Sequence, residues 1–286
     1  MENQQSSKNI KWFPGHMAKA LRQMEKEIEK VDMIIYVLDS RAPFSCLNPE
    51  FVRIANGKPI LYCLNKSDIA DAEKVAKAKL ELQKQPNSDC VVLNSTLNGA
   101  NKQIEPIMRK LCDNKIQKYM AKGIKINLRA MVIGVPNSGK STLINNLCGI
   151  KKAITGDKAG VTRGKQWVAL KNGFELLDTP GTLWPNLENQ SIARNLAYIG
   201  SIRNEVLDIN ELALEFVSTI RNQYPQNFEA RYKFEFGDKT NLEVLEEIAE
   251  KSHFVIKGGE IDYDRVCFTI IDDFRKGRLG KITLDI

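Results

Sequence analysis

A chain of 286 residues with 43% hydrophobic content is long enough for one large domain or two ordinary ones and can bury a real core. Its longest apolar runs, such as MIIYVL at 33–38, fall far short of the roughly 20 residues that a membrane span needs. The polar start MENQQSSKNIKW lacks the apolar stretch of a secretory signal, so a cytoplasmic protein with no membrane partner is expected.

The net charge of +7 is unevenly placed. Residues 101–171 carry fifteen Lys/Arg against three Asp/Glu, whereas residues 226–286 carry ten against thirteen. Such lopsidedness favours a polyphosphate or nucleic-acid partner over a uniformly solvated surface. The six cysteines, at 46, 63, 90, 112, 148 and 267, form no CxxC pair and mostly fall within apolar runs, so buried free thiols are expected rather than zinc ligands or disulfides.

In chain order, the aromatic stretch Trp12-Phe13-Pro14-Gly15-His16 reads as a loop before the first helix. Three β-branched runs of strand length follow: DMIIYVLDS at 32–40, KPILYCLNK at 58–66 and DCVVLNS at 89–95. They alternate with helical patterns such as AEKVAKAKLELQKQ and QIEPIMRKLCDNKI. LRAMVIG is a fourth strand, a helix runs from Lys140 to about Cys148, and KQWVALKNG with FELLDTPG reads as a hairpin closed at KNG. Strands alternating with crossover helices predict an α/β fold, a mostly parallel sheet with helices on both faces. Beyond Pro185 the strand signal fades, which predicts a first domain over 1–185 and a smaller all-α domain over 186–286.

The strongest local signal is Gly134-Val135-Pro136-Asn137-Ser138-Gly139-Lys140-Ser141-Thr142, which matches GxxxxGK[ST] between an apolar strand and a helix. Backbone N–H groups of such a loop turn inward around a β-phosphate, Lys140 reaches the β- and γ-phosphates, and the Ser141 hydroxyl can bind Mg²⁺. Downstream, Asp178-Thr179-Pro180-Gly181 ends the strand FELL. There Asp178 can hold the Mg²⁺ shell and Gly181 can offer its N–H to the γ-phosphate. Thr162, in AGVTRG, is placed to supply a second Mg²⁺ hydroxyl.

Asn65-Lys66-Ser67-Asp68 lies some seventy residues before the phosphate loop. Asp68 can accept the two donors on guanine's Watson–Crick edge that adenine lacks, Asn65 supports the loop, and the Lys66 stem lies along the base. Asn94-Ser95-Thr96 ends another strand, and its backbone amide can meet guanine O6. All four motifs sit at the carboxyl ends of strands, so one sheet edge holds a complete guanine-nucleotide set even though its order along the chain is rotated.

The order NKSD, NST, GVPNSGKS, AGVTRG, DTPG resembles that of the circularly permuted GTPases, and within them the ribosome biogenesis GTPase A group. WFPGHMAK at 12–19 looks like that group's N-terminal signature, and DDFRKGRLGKITLD resembles the end of its C-terminal domain. The resemblance covers almost the whole chain. It implies a circularly permuted P-loop GTPase that takes GTP, GDP and Mg²⁺, binds a large ribosomal subunit precursor and its rRNA partly through the helical domain, and leaves after hydrolysis. It also assigns His16 a proposed part in hydrolysis, and Asn137 resembles the asparagine of potassium-dependent GTPases, which adds K⁺ as a candidate cation.

Two observations pull the other way. The C-terminal region is net acidic, with only Arg275, Lys276, Arg278 and Lys281 clustered there, so residues 101–171 compete as the RNA surface. Thr182-Leu183 stand where many GTPases place a water-orienting Gln. That leaves open a non-catalytic, nucleotide-stabilised RNA-binding scaffold, whereas a P-loop ATPase or kinase would require NKSD to be accidental. Basal hydrolysis is expected to be slow and particle-stimulated, and a monomer is the expected state.

Overall fold

The computed structural model describes residues 10, 12–149, 166–170, 173–185 and 187–286. Its centre is a six-stranded sheet in the order β3-β2-β1-β4-β6-β5, built from β1 (Met33–Asp39), β2 (Ile60–Asn65), β3 (Ser88–Val92), β4 (Leu128–Ile133), β5 (Gln166–Ala169) and β6 (Phe174–Asp178). All neighbouring pairs are parallel except β5 with β6, which is antiparallel. The expected hairpin pairing is therefore present, although Lys171 and Asn172 of its KNG turn lie outside the described residues.

Both faces of the sheet are covered, which is why its central strands read as unbroken apolar runs. In β1 the side chains alternate between two cores: Met33, Ile35 and Val37 face one, and Ile34, Tyr36 and Leu38 the other. The first core is closed by α4 (Ala100–Leu111) and α6 (Lys140–Cys148) through Ile104, Met108, Leu143 and Ile144. The second takes α1 (Gly15–Glu27), α2 (Pro49–Ala55) and α3 (Ala72–Gln83). It continues without a break into the C-terminal helices α7 (Gln190–Tyr198), α8 (Ile209–Gln223), α9 (Pro225–Tyr232), α10 (Asn241–Lys251) and α11 (Tyr263–Arg275). The helical segment expected over 103–116 divides at Cys112 into α4 and α5 (Asp113–Met120).

One local expectation is corrected. His16 is the second residue of α1 rather than part of a loop before it. Pro14 is the N-cap with extended dihedrals, φ −68° and ψ 151°, and its carbonyl accepts from Met17 N at 2.9 Å. A proline needs no amide partner where a helix begins, so the chain turns helical at Gly15. The six cysteines are free, five of them buried and Cys148 half-buried. No helix among the described residues is long and apolar enough to cross a membrane.

Candidate functional site

The sheet edge formed by the carboxyl ends of β2, β3, β4 and β6 brings four sequence motifs into direct contact. Asn65 ends β2 and is buried. Its Nδ2 donates to Ser138 O at 2.8 Å, and its Oδ1 accepts from Ser95 N at 2.9 Å. One side chain thus joins the NKSD, phosphate-loop and NST segments. Lys66 takes a left-handed backbone conformation, φ 60°, and its Nζ donates to Asn137 O at 2.7 Å. Ser67 and Asp68 open a short 3-10 turn, Ser67–Ile69, in which Asp68 is exposed at the rim. Asn94 Oδ1 accepts from the amide and hydroxyl of Thr96, at 2.9 and 2.7 Å, shaping the turn after β3.

The phosphate loop follows β4. Gly134 opens it, Val135 and Ser138 are fully buried, and Gly139 caps α6 with φ +98°. A Cβ on Gly139 would lie 2.2 Å from Asn65 Nδ2, so only glycine lets the loop close on the β2 end. Lys140 Nζ curls back to Gly134 O and Val135 O, at 3.2 and 2.8 Å. Pro136 and Asn137 are held from the C-terminal side: Ser201 Oγ donates to Pro136 O at 2.7 Å, and Asn137 Nδ2 donates to Gly200 O at 2.7 Å. Ser141 Oγ donates to Asp178 Oδ2 at 3.3 Å, linking α6 to the end of β6, while Thr142 lies one residue further along α6. Gly181 approaches so closely that a Cβ there would meet Pro136 Cα at 2.7 Å and Lys140 Nζ at 2.8 Å.

The electrostatics are those of a pocket shaped for an anion and a cation together. Burial pulls the Lys140 ammonium down to about 8 although Asp178 acts against that shift. Burial likewise pushes the Asp178 carboxyl above its ordinary value, against the pull of Lys140. Phosphate oxygens would relieve the first shift and a hard divalent cation the second. Among the described residues, Asp178 Oδ1 and Ser138 Oγ find no hydrogen-bond partner although both are buried. The oxygen donors Ser141 and Asp178 fit Mg²⁺ by chemistry and position. Thr162, the third expected metal ligand, lies outside the described residues.

His16 is exposed at the start of α1. Its neighbour Met17 is fully buried, and Met17 Sδ accepts from Leu183 N at 3.4 Å, so the head of α1 abuts the segment just past Gly181. Thr182 and Leu183 are both fully buried.

Three features escaped sequence reasoning. Asp39, which pairs in register with Asn65, accepts from Lys66 Nζ at 2.8 Å and from Arg41. Gly200 and Ser201 reach the phosphate loop from the far side of α7. An acidic residue closing an apolar strand was the one visible signal of Asp39; the others have none. The basic C-terminal cluster also changes meaning. Arg275 donates to Ala197 O, Tyr198 O and Asn204 Oδ1, and Lys276 and Arg278 pair with Asp272 and Asp273. Three of the four cations counted as an RNA patch are thus engaged within the protein.

A family profile described as "50S ribosome-binding GTPase" matches residues 129–255, beginning at β4 and leaving Asn65–Asp68 outside its range. Ribosome biogenesis GTPase A of Bacillus cereus is 36% identical over 277 residues, covering 96% of this chain and 93% of that protein. The protein of the same name from Thermotoga maritima is 30% identical and covers 96% of this chain and 94% of its own length. Among solved structures, GNP-bound YlqF from T. maritima superposes with a TM-score of 0.64 at 26% identity, covering 94% of this chain and all of that one. These likenesses span the nucleotide edge and the C-terminal helices alike, and this chain belongs to the ribosome biogenesis GTPase A family.

Proposed function

We propose that this GTPase binds a precursor of the large ribosomal subunit and its rRNA in the GTP state and leaves after hydrolysis. The observation that carries the reading is the single sheet edge on which Asn65 ties the NKSD loop to Ser138 and Ser95 while Ser141 meets Asp178. Asn65 to Asp68 and Asn94 to Thr96 take the guanine base, Gly134 to Thr142 wrap the phosphates, and Gly181 offers its amide to the γ-phosphate. Ser141 and Asp178, with Thr162, are the residues that would hold Mg²⁺. The ion, when bound, neutralises charge developing on the phosphates. K⁺ near Asn137 rests on resemblance alone, and faster turnover in K⁺ than in Na⁺ is its test.

Residues 1–185 are proposed as the nucleotide-binding unit and 186–286 as a helical unit that works with it. The relatives' names and the matched profile support a ribosomal partner. On the chain itself, Lys118, Lys122 and Lys125, in and just after α5, are exposed and carry no ion pair among the described residues. They give the excess of 101–171 a free cationic face for an RNA backbone.

Thr182 and Leu183, buried and unable to orient a water molecule, favour the second reading, a non-catalytic scaffold. Cosedimentation with ribosomal particles, with a GTP analogue and with GDP, tests the proposal. Binding to large-subunit precursors with the analogue and release with GDP is expected. Equal sedimentation in both states would favour the scaffold.

A further inference from the structure

We propose that Arg41 is a positioning residue for guanine recognition: through Asp39 it fixes Lys66, and through the carbonyl ends of α7 and α11 it ties that fixation to the seating of the C-terminal helices. The inference rests on the assignment of Asn65–Asp68 to the base.

Arg41 is 1% exposed, and among the described residues its guanidinium bonds to Asp39 and to the carbonyls of Ile199, Phe274 and Arg275. Its Nε and one terminal nitrogen donate to the two oxygens of Asp39, at 2.9 and 2.7 Å, a two-pronged geometry that only guanidinium provides. The other terminal nitrogen donates to Arg275 O at 3.0 Å and Phe274 O at 3.4 Å. The nitrogen facing Asp39 also reaches Ile199 O at 3.5 Å, and the group stacks over the Phe274 ring at 5.1 Å. Those carbonyls lie at the C-terminal ends of α7 and α11, where a cation is favoured.

On the other side, Asp39 Oδ2 also accepts from Lys66 Nζ at 2.8 Å. Asp39 therefore stands between two cations that hold its carboxyl far below the carboxylate range against the cost of burial. The backbone of Lys66 is in the left-handed region, a conformation that persists in a non-glycine residue only where its surroundings hold it.

The last residues of the chain reinforce the link. Leu284 N donates to Arg41 O at 2.8 Å, Thr283 Oγ1 to Ser40 O at 3.0 Å and Ile282 N to Ile69 O at 3.3 Å. The chain end is thus sewn to both loops that flank Lys66. A residue that merely glued the helices down would alter stability and leave the affinity of the folded protein for guanine nucleotides alone. A positioning residue alters that affinity, and linkage requires the nucleotide to tighten the helix ends in return.

The test compares the unaltered chain with Arg41→Lys, which keeps the charge and loses the two-pronged contact. The dissociation constant for GDP is expected to rise about tenfold, within the range of ordinary coupling. The affinity for inorganic triphosphate, which meets only the phosphate loop, should change less than about twofold. Unchanged GDP affinity, or an equal loss for both ligands, overturns the proposal. A second measurement needs no variant: GDP, but not triphosphate, should slow amide exchange over 270–278 of the unaltered chain, and exchange indifferent to GDP overturns it as well. If the unaltered chain binds GDP and ADP equally, the assignment of the base loop has failed, and Arg41 with it. If it prefers GDP and Arg41→Lys keeps that affinity, only the role of Arg41 has failed.

Discussion

The phosphate loop after β4 and the base loop after β2 flank β1 in the sheet, and each carries one lysine at its heart. The two lysines are held by opposite means. Lys140 bonds to carbonyls of its own loop, five and six residues upstream. Lys66 bonds to Asn137, 71 residues away, and to Asp39 on the neighbouring strand. The first arrangement is a self-contained device that any strand–helix junction could host. The second exists only when distant parts of the chain are assembled, so the contacts of Lys66 report on the fold as a whole and those of Lys140 on its own loop.

The strongest way to break that contrast is to remove each cation in turn. Lys140→Ala deletes a charge whose hydrogen bonds in the free protein go to loop carbonyls and whose burial is unfavourable even with Asp178 acting against it. The thermal midpoint without nucleotide should hold or rise slightly. Nucleotide affinity should fall by roughly 10³ or more, because the phosphates lose a buried, hydrogen-bonded cation. Lys66→Ala should lower both stability and affinity, since it leaves Asp39 with one cation instead of two. Calorimetric melting with and without GDP separates the two patterns. If Lys140→Ala destabilised the free protein as much as Lys66→Ala does, the contrast would be wrong.

Neither loop supplies the group that hydrolysis needs. Thr182 and Leu183 are turned into the core, and the head of α1 is the element next to them. His16→Ala should keep nucleotide and particle binding and reduce particle-stimulated turnover on the order of 10² or more, the usual worth of a positioned imidazole. Stimulated turnover equal to that of the parent would remove His16 as the catalytic group and return weight to the scaffold reading.

The same contrast explains what could be read from the sequence. The strands and the phosphate loop are contiguous signals, apolar runs of strand length and a glycine-framed Lys-Ser, so their positions follow from the string alone. The rotated order of NKSD was legible as a family pattern and as chemistry at strand ends. Its anchors were not. Arg41 meets carbonyls 233 and 234 residues away, a relation that no window of sequence contains. Pro14-Gly15 reads as a helix breaker and so predicts a loop at His16, whereas proline here caps the helix and glycine begins it. The cations at 275, 276 and 278 read as surface charge because a sequence does not show which carboxylates and carbonyls claim them.

A smaller effect sharpens the base loop itself. Asp68 is exposed at the rim of its turn, and its carboxylate makes no hydrogen bond or ion pair among the described residues. Asp68→Asn should therefore leave the melting temperature unchanged while weakening GDP by about 5- to 150-fold, the 1–3 kcal/mol that a bidentate pairing with a base edge contributes. Xanthine nucleotides, whose edge suits an amide, should recover most of that loss in competition binding. A variant that binds GDP as the parent does would place guanine recognition elsewhere.

The smallest effect is a proton, and it distinguishes the two lysines without altering either. Burial holds Lys140 at about 8 in the nucleotide-free protein, so near that pH a good part of its population is neutral. Phosphate oxygens beside the ammonium favour the charged form and return it toward the ordinary lysine value of about 10.4. The complex then binds more protons than the free protein does. The contribution of this charge to affinity is complete well below pH 8 and fades as pH rises through 8, in the direction that linkage requires for a group whose value is raised on binding. GDP binding should take up a fraction of a proton that grows as pH rises from about 7.5 to about 8.5, from the titration of a single group near 8. Calorimetry in two buffers of different ionisation enthalpy measures this directly. Lys66 is also depressed by burial, but Asp39 already lies beside it in the nucleotide-free protein, and its assigned ligand is the base rather than a phosphate. Inorganic triphosphate should accordingly show the same uptake as GDP once each ligand's own titration is subtracted. An uptake that GDP produces and triphosphate does not would assign the proton to the base loop, and the two cations would have to exchange the roles given to them here.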